Sequence, residues 1–203
     1  MRSRRPKPVR DVHPIEAKSY EILRSRVATG HLPRYTRAVV ERVIHATADL
    51  EYCSDLVCDE EALERGALAL AAGAPIIADV RMVAVGITTR EVICKVDDSL
   101  TTRLARTAGI TRSAAAVRLS ASEVGAGAVW AIGCAPTALE EILSRGVEPA
   151  LVIGLPVGFV GAVEAKEALR ASGLPALSNR SEKGGSAMAT AAVNALLNAG
   201  EAA

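Results

Sequence analysis

The chain has 203 residues, with 24 basic against 23 acidic side chains, and half of its residues are apolar. This length suits one α/β domain, and such a chain buries roughly 70% of its unfolded surface, so it needs no disulfide or metal to hold it together. A formal net charge of +1 disfavours a nucleic-acid partner, because that binding is driven by an excess of basic side chains. The three tyrosines, one tryptophan and one phenylalanine also offer little for stacking bases.

Cysteine spacing and the chain's start exclude further classes. The four cysteines lack the CxxC spacing of a zinc ribbon or a redox dithiol, so we expect reduced, mostly buried thiols. Residues 1–12 are basic and reach no apolar run of the kind found in signal peptides. The longest uncharged run, 149–163, is too short and too interrupted to span a bilayer. We expect a soluble cytoplasmic protein with no membrane partner, a flexible basic tail over 1–12 and one domain over 13–203.

Hydrophobic periodicity predicts the elements in chain order. Two helices are predicted first, and helices then alternate with short apolar strands. The helices are predicted over 15–27, 36–50, 60–72, 99–108, 113–123, 137–145, 161–171 and 185–199, and the strands over 76–80, 91–96, 128–133, 150–155 and 175–178. This alternation is typical of parallel strands covered on both faces. The predicted fold class is α/β, a three-layer α/β/α sandwich with a mostly parallel sheet of about five strands, doubly wound as in flavodoxin.

Glycine and polar residues follow several of the predicted strands. We expect loops over 81–88, 133–137, 154–161 and 181–186. In such sheets ligands bind outside the carboxyl ends of the strands. Glycine lets backbone N–H groups approach a ligand, and helix N-termini favour anions. The four loops together predict a broad site for a large, negatively charged ligand.

Familiar catalytic and cofactor motifs are missing from the sequence. Lys183-Gly184-Gly185-Ser186 lacks the order GxxxxGK[ST] of a phosphate loop, and no GxGxxG follows the first predicted strand. There is no GxSxG, no HExxH and no metal-ligand spacing, so we predict no metal site. The segment from Gly133 to Thr137 is also explained as a strand-to-helix turn with Pro136 at the first helical position.

The acid–base candidates are His13, His31 and His45. His45 lies late in the second predicted helix, with Glu41 and Asp49 one turn away on either side. Spacing alone favours a surface histidine paired with these two carboxylates. A general acid at His45 is the alternative that spacing leaves open.

Seven segments carry a family resemblance: HPIEAKSYEIL (13–23), RVIHATADLEY (42–52), IIADVRMVAVGIT (76–88), GITRSAAAVRL (109–119), GCAPTALEEIL (133–143), PALVIGLPVGFVGAVEAK (149–166) and SEKGGSAMATAAVNALL (181–197). In these segments the chain resembles the precorrin-8X methylmutase family of corrin biosynthesis, which includes the cobalt-precorrin-8 methylmutases. The resemblance implies an isomerase that moves a methyl group from C-11 to C-12 of precorrin-8X, or of its cobalt form, to give hydrogenobyrinate or cobyrinate in cobalamin biosynthesis. It implies no methyl donor and no redox cofactor.

The resemblance also implies roles for individual residues. The family's catalytic histidine falls on His45, which would act as a general acid at the nitrogen of ring C. The residues implied in substrate binding are Ser19, Arg81, Gly86, Thr88, Arg112, Cys134, Pro136, Thr137, Lys183, Gly184, Gly185 and Ser186. For Arg112 the alternative is a capping or ion-pair role. Cys134 and Ala165 depart from the family pattern, which has asparagine and serine there, so one substrate contact is expected to be weaker or made by the backbone.

The resemblance implies a homodimer with the site near the subunit interface. Two other functions would use the same loops. A non-catalytic corrinoid-binding or carrier protein would not need His45. A flavodoxin-like nucleotide binder would hold FMN or a nucleotide, but the shortage of aromatic residues to stack a flavin disfavours it.

Overall fold

The computed structural model describes residues 13–201, and the basic tail predicted for residues 1–12 lies outside this range. Its helices are α1 (Pro14–Arg26), α2 (Arg34–Thr47), α3 (Tyr52–Asp55), α4 (Glu60–Ala71), α5 (Arg81–Gly86), α6 (Ser99–Ala108), α7 (Arg112–Val124), α8 (Pro136–Ser144), α9 (Ala162–Ala171) and α10 (Ser186–Glu201). Its strands are β1 (Leu56–Cys58), β2 (Ile76–Ala78), β3 (Val92–Ile93), β4 (Val129–Ile132), β5 (Leu151–Gly154) and β6 (Ala176–Asn179).

The six strands form one sheet in the order β1-β6-β5-β4-β2-β3. Strands β2 to β6 are parallel to one another, and β1 pairs antiparallel with β6 at the edge. Without β1, the parallel strands follow the flavodoxin order 2-1-3-4-5. The five predicted strands and the doubly wound topology are therefore confirmed. Strand β1 was not predicted, because three residues are too few to show an alternating pattern.

Alternate residues of the sheet face two helical layers. Ile76 and Val129 belong to a buried cluster with residues of α2, α4 and α10. Ile77 and Trp130, each one position further along, belong to a second cluster with residues of α7, α8 and α9. This alternation follows from the two-residue period of a strand and gives the predicted α/β/α sandwich. No helix within residues 13–201 has both the length and the apolar character needed to cross a membrane.

Two short helices interrupt segments that sequence patterns left irregular. The predicted loop over 81–88 is wrong over Arg81–Gly86, which forms helix α5. Helix α3, between Tyr52 and Asp55, is also new. Six and four residues are too short to display a 3.6-residue period. Helix α5 follows β2 directly, where β2 lies between β3 and β4 and the winding of the sheet reverses, so it lies at the switch point that binds ligands in such folds.

Candidate active site

Helix α1 is held on α2 mainly by polar contacts. Leu23 is its only buried residue. The Arg24 guanidinium donates to Glu41, with Nη2 2.7 Å from Oε2, and the Arg42 Nη1 donates to Glu16 Oε1 at 2.5 Å. Hydrogen-bonded ion pairs are directional, so they fix the position of α1 along α2 more closely than a small apolar contact would.

His45 points towards α1 from the last turn of α2. Its Nδ1 lies 2.8 Å from the Ser19 hydroxyl oxygen, and its ring stacks on Tyr20 with centroids 5.0 Å apart and planes 16° apart. The imidazole is half-buried. Within residues 13–201, no hydrogen bond is found at the other ring nitrogen, Nε2.

The two carboxylates expected to flank His45 turn to other partners. Glu41 accepts hydrogen bonds from Arg24, Thr29 and Arg37, and Asp49 accepts one from a lysine at the far end of the chain. The interpretation of His45 as a surface histidine paired with Glu41 and Asp49 is wrong.

The end of α2 lies at the carboxyl edge of the sheet. Lys183, in the loop after β6, donates to Asp49 with Nζ 2.7 Å from Oδ2, and also to Glu51. Its ammonium lies 5.8 Å from the centroid of Tyr52. The hydrogen bonds to the two carboxylates raise the pKa of Lys183. Two carboxylates of the same chain therefore already neutralise this lysine, which the resemblance implied in substrate binding.

The loops that follow β5 and β6 touch each other. Gly184 is buried with φ +154°, and a Cβ there would lie 2.5 Å from the carbonyl oxygens of both Leu155 and Pro156. Only glycine permits this close backbone approach. The N–H of Gly158 donates to the carbonyl oxygen of Glu182 at 3.1 Å. The start of α10 is thereby fixed beside the loop after β5.

Asp79 organises the loop after β4. This aspartate directly follows β2 and is fully buried. It accepts hydrogen bonds from the backbone N–H groups of Gly133, Cys134 and Ala135 at 3.1, 2.8 and 2.9 Å. Burial raises the pKa of Asp79, although the three N–H groups oppose the shift. The backbone N–H groups of residues 133–135 form an amide corner at the switch point of the sheet. The Asp79 carboxylate of the chain itself occupies this amide corner. The sequence signal was an acidic residue at the end of an apolar strand.

Arg112 stands at the start of α7, beside the loop that Asp79 holds. The helix is capped by Thr111, whose Oγ1 accepts from the N–H of Ala114 at 3.1 Å. The Thr111 hydroxyl also lies 2.7 Å from that of Thr137. Arg112 is exposed, and the capping role considered for it belongs to Thr111.

Of the remaining residues implied in binding, one lies in an exposed ion pair, one in a turn and one in a contact between helices. Arg81 is exposed and its Nε donates to Asp97 Oδ2 at 3.1 Å, and Thr88 is exposed in a turn. Gly86 packs on α10, where a Cβ would lie 2.5 Å from the methyl carbon of Thr190. The structure therefore brings Cys134, Pro136, Gly184, Gly185 and Ser186 to one edge of the sheet and joins Ser19 to His45, while Gly86 serves a helix contact.

Sequence patterns missed two residues beside His45. Tyr20 covers one face of the imidazole, and its hydroxyl accepts from Arg42 Nη1 at 3.3 Å. Arg42 and His45 are three positions apart on α2, and residues at that spacing share a helix face. That spacing was the available signal for Arg42.

The cysteines match the expected thiol state in part. All four are free: Cys94 is buried, Cys53 and Cys58 are half-buried, and Cys134 is exposed. Burial and the nearby Asp79 charge raise the pKa of the Cys134 thiol. In the part of the chain that the structure describes, no group of three or more His, Cys, Asp or Glu side chains is arranged to hold a metal ion.

Comparison with known proteins places the chain in a family. A family profile described as precorrin-8X methylmutase matches residues 14–199. The chain is 42% identical to the precorrin-8X methylmutase of Pseudomonas aeruginosa, over 93% of this chain and 96% of that protein. It is 37% identical to the cobalt-precorrin-8 methylmutase of Methanocaldococcus jannaschii, over 90% and 91%. The crystal structure of precorrin-8X methylmutase from Thermus thermophilus superposes with a TM-score of 0.85 at 35% identity, covering 93% of this chain and 96% of that one. The chain belongs to the precorrin-8X methylmutase family.

Proposed function

We propose that this chain moves the methyl group of precorrin-8X, or of its cobalt form, from C-11 to C-12, and that His45 is the acid that assists at ring C. Family membership supports the isomerase activity in cobalamin biosynthesis. The observation that supports the role of His45 is its contact with Ser19, which holds Nδ1 and leaves Nε2 without a hydrogen bond to any of residues 13–201.

The proposed chemistry needs one proton at Nε2. When the Ser19 hydroxyl donates to Nδ1, the proton of the neutral imidazole resides on Nε2, and when the ring is charged, the same hydroxyl accepts from Nδ1–H. Donation from Nε2 to the nitrogen of ring C draws electron density across the ring and eases methyl migration. The proton returns to His45 once the methyl group is bound at C-12.

The edge of the sheet would hold the periphery of the substrate. Arg112 is exposed at a helix start and would bind a substrate carboxylate by a charge-assisted hydrogen bond. Thr137, at the start of α8, lies beside Thr111, and Cys134 lies on the loop held by Asp79. Arg81, Thr88 and the segment 183–186 are proposed as further contacts. In place of the asparagine that the family resemblance implies, Cys134 would offer its backbone and a weakly polar thiol.

We also propose that the protein works as a homodimer. Large apolar side chains are exposed close to the candidate site: Met82 and Val85 on α5 are 70% exposed, and Phe159 and Val160 after β5 are 93% and 89% exposed. Such exposure is typical of an interaction surface. Sedimentation of the wild type and of Phe159→Asp tests this, and a wild type that sediments as a monomer at micromolar concentration contradicts it.

Conversion of precorrin-8X, followed by the visible spectrum of the corrin product, tests the function. The wild type converts the substrate, and His45→Ala lowers turnover by about 10²- to 10⁴-fold, the usual contribution of a positioned acid, while it still binds the corrinoid. His31→Ala is the matched control, because His31 is exposed in the loop before α2. Binding without conversion by the wild type would identify a carrier instead. A His45→Ala variant that keeps half of the wild-type rate would exclude His45 as the acid.

A further inference from the structure

Lys166 is a fully buried lysine outside the proposed catalytic group. It lies on α9 and reaches under the loop after β6. Its Nζ donates to Asn179 Oδ1 at 2.9 Å, to the carbonyl oxygen of Lys183 at 2.8 Å and to the carbonyl oxygen of Ser181. An ammonium has three N–H donors, so every donor of Lys166 has an acceptor within residues 179–183, at the end of β6 and in the loop after it.

The same loop is held by a second charged group, which is half-buried. Asp55 on α3 accepts hydrogen bonds from Asn179 Nδ2 at 2.7 Å, from the N–H of Ser181 at 2.8 Å and from the Ser181 hydroxyl at 2.8 Å. Asn179 Nδ2 also donates to the carbonyl oxygen of Lys183 at 2.9 Å. Lys166 and Asp55 thus share Asn179, and together they determine the path of residues 179–183.

Residues 180–185 connect the candidate site to its surroundings. The loop begins at the end of β6 and leads into α10, and it contacts the segment after β5 through Gly158 and Gly184. Its Lys183 side chain reaches Asp49 beyond the end of α2, the helix that carries His45. The shape of this loop therefore determines which groups face the edge of the sheet.

We propose that Lys166 is a positioning residue, whose buried ammonium turns the carbonyl groups of residues 181 and 183 inward and thereby sets the shape of the loop at the substrate site. This inference rests on the proposed function for its effect on activity. Its structural part stands on the three contacts of Nζ alone.

A buried ammonium must be well hydrogen-bonded, because removing a charge from water otherwise costs much free energy. Three oxygen acceptors satisfy the charged form, whereas a neutral amine has two N–H donors and a lone pair that would face one of these oxygens. The charged groups nearest to Lys166 are Asp55 on α3, Arg170 on α9 and Glu182 in the loop. Burial lowers the pKa of Lys166 to about 8, with Arg170 adding to the shift and the two carboxylates opposing it. The loop is therefore expected to loosen as the pH rises through this value.

Lys166→Met tests the positioning role, since methionine nearly keeps the length and donates no hydrogen bond. Amide hydrogen exchange of residues 180–186 should accelerate by about 10-fold or more, while exchange of β5 is unchanged. The KM for precorrin-8X should rise by about 10- to 100-fold, the range of one charge-assisted hydrogen bond to the substrate, with kcat lowered less than KM is raised. Arg65→Met is the matched control, because it removes one positive charge from the exposed side of α4.

The two readouts separate the possible failures. Unchanged exchange over residues 180–186 in a folded Lys166→Met protein would contradict positioning by Lys166. Faster exchange with an unchanged KM would contradict the placement of this loop at the substrate site, which belongs to the proposed function.

The pH dependence gives an independent test. Binding of hydrogenobyrinate is measured in a His45→Ala background, so that titration of His45 makes no contribution. Affinity should fall above about pH 8, and adding Lys166→Arg should remove this fall, because arginine stays charged. A profile that is flat from pH 7 to 9.5 without the arginine would contradict the proposal. If the arginine variant fails to fold, the pH profile of the His45→Ala protein alone tests the proposal: a fall in affinity above about pH 8 supports it, and a flat profile contradicts it.

Discussion

The Ser19 hydroxyl lies 2.8 Å from His45 Nδ1 and joins two helices across 26 positions of sequence. Tyr20, the next residue of α1, stacks on the same imidazole. One turn of α1 therefore sets both the hydrogen bond and the ring plane of the proposed acid. Because a hydroxyl both donates and accepts, this arrangement suits the neutral and the charged imidazole alike.

Ser19→Ala should lower kcat by about 2- to 10-fold and leave KM nearly unchanged. The expected loss is that of one hydrogen bond, about 0.5–1.5 kcal/mol, felt where the imidazole must be oriented. Steady-state kinetics with precorrin-8X measure it. Ser19→Thr keeps the hydroxyl and is the matched control. Equal losses in the alanine and threonine variants would show that the site responds to shape at this position and not to the hydrogen bond.

Arg112→Ala should weaken binding of the carboxylated substrate by about 10- to 100-fold, in the range of one charge-assisted hydrogen bond. Arg112→Lys should recover only part of this, because an ammonium lacks the planar fork of a guanidinium. Titration with hydrogenobyrinate measures both variants. Arg103→Ala is a suitable control, since Arg103 is exposed on the neighbouring helix α6. Equal affinity of the wild type and both Arg112 variants would remove Arg112 from the binding site.

Patterns in the sequence were sufficient for the layers of the fold and for the edge that carries the site. Each parallel strand is a short apolar run between helices, and this signal is local. Strand β1 was not predicted, because Leu56–Cys58 is recognisable as a strand only from its pairing with β6. Helix α5 was not predicted, because Arg81–Gly86 forms less than two turns and shows no helical pattern of apolar residues.

The contacts of His45 were beyond any argument from spacing. Glu41 and Asp49 lie one helical turn from His45 in sequence. In the structure, Glu41 binds Arg24 from α1, and Asp49 binds Lys183 from the loop after β6. Partners that are far apart in sequence compete with partners one turn away, and only the tertiary structure decides between them. The role of Asp79 was not predicted for the same reason, since the three N–H groups that it binds lie more than 50 residues further along the chain.

Asp79→Asn should destabilise the protein by about 1–3 kcal/mol and raise KM. The carboxamide keeps one acceptor oxygen but turns its NH₂ group towards backbone N–H donors, so at least one buried N–H loses its acceptor. Urea unfolding gives the stability change and kinetics give KM. Asp98→Asn is the control, because Asp98 is an exposed carboxylate whose side chain makes no cap hydrogen bond at the start of α6. Similar stability of the Asp79→Asn variant and the wild type would mean that the amide corner does not depend on a carboxylate.

The stability of the helix pair that carries the site should depend on pH through Glu41. Burial alone would raise the pKa of this carboxyl, but hydrogen bonds from Arg24, Thr29 and Arg37 outweigh burial and lower the pKa from 4.5 to about 2. A carboxyl whose pKa is lower in the folded state stabilises that state above its unfolded pKa. The contribution is full above about pH 5.5, is lost as the pH falls towards 2, and amounts to about 3 kcal/mol at most.

Glu41→Gln should therefore lower the free energy of unfolding by about 1.5–3 kcal/mol at pH 7. The difference between variant and wild type should shrink steadily between pH 5 and pH 2.5, because over that range the carboxyl of the unfolded chain takes up a proton while the folded one, with its pKa of about 2, stays mostly charged. Urea titrations at several pH values measure both curves, and Glu21→Gln, in an exposed pair with Lys18, should follow the wild type throughout. Curves for Glu41→Gln and wild type that run parallel from pH 7 to pH 2.5 would show that Glu41 stabilises the fold by packing and not by its charge. In that case the ion pair with Arg24 would not be what holds α1, and with it Ser19, against α2.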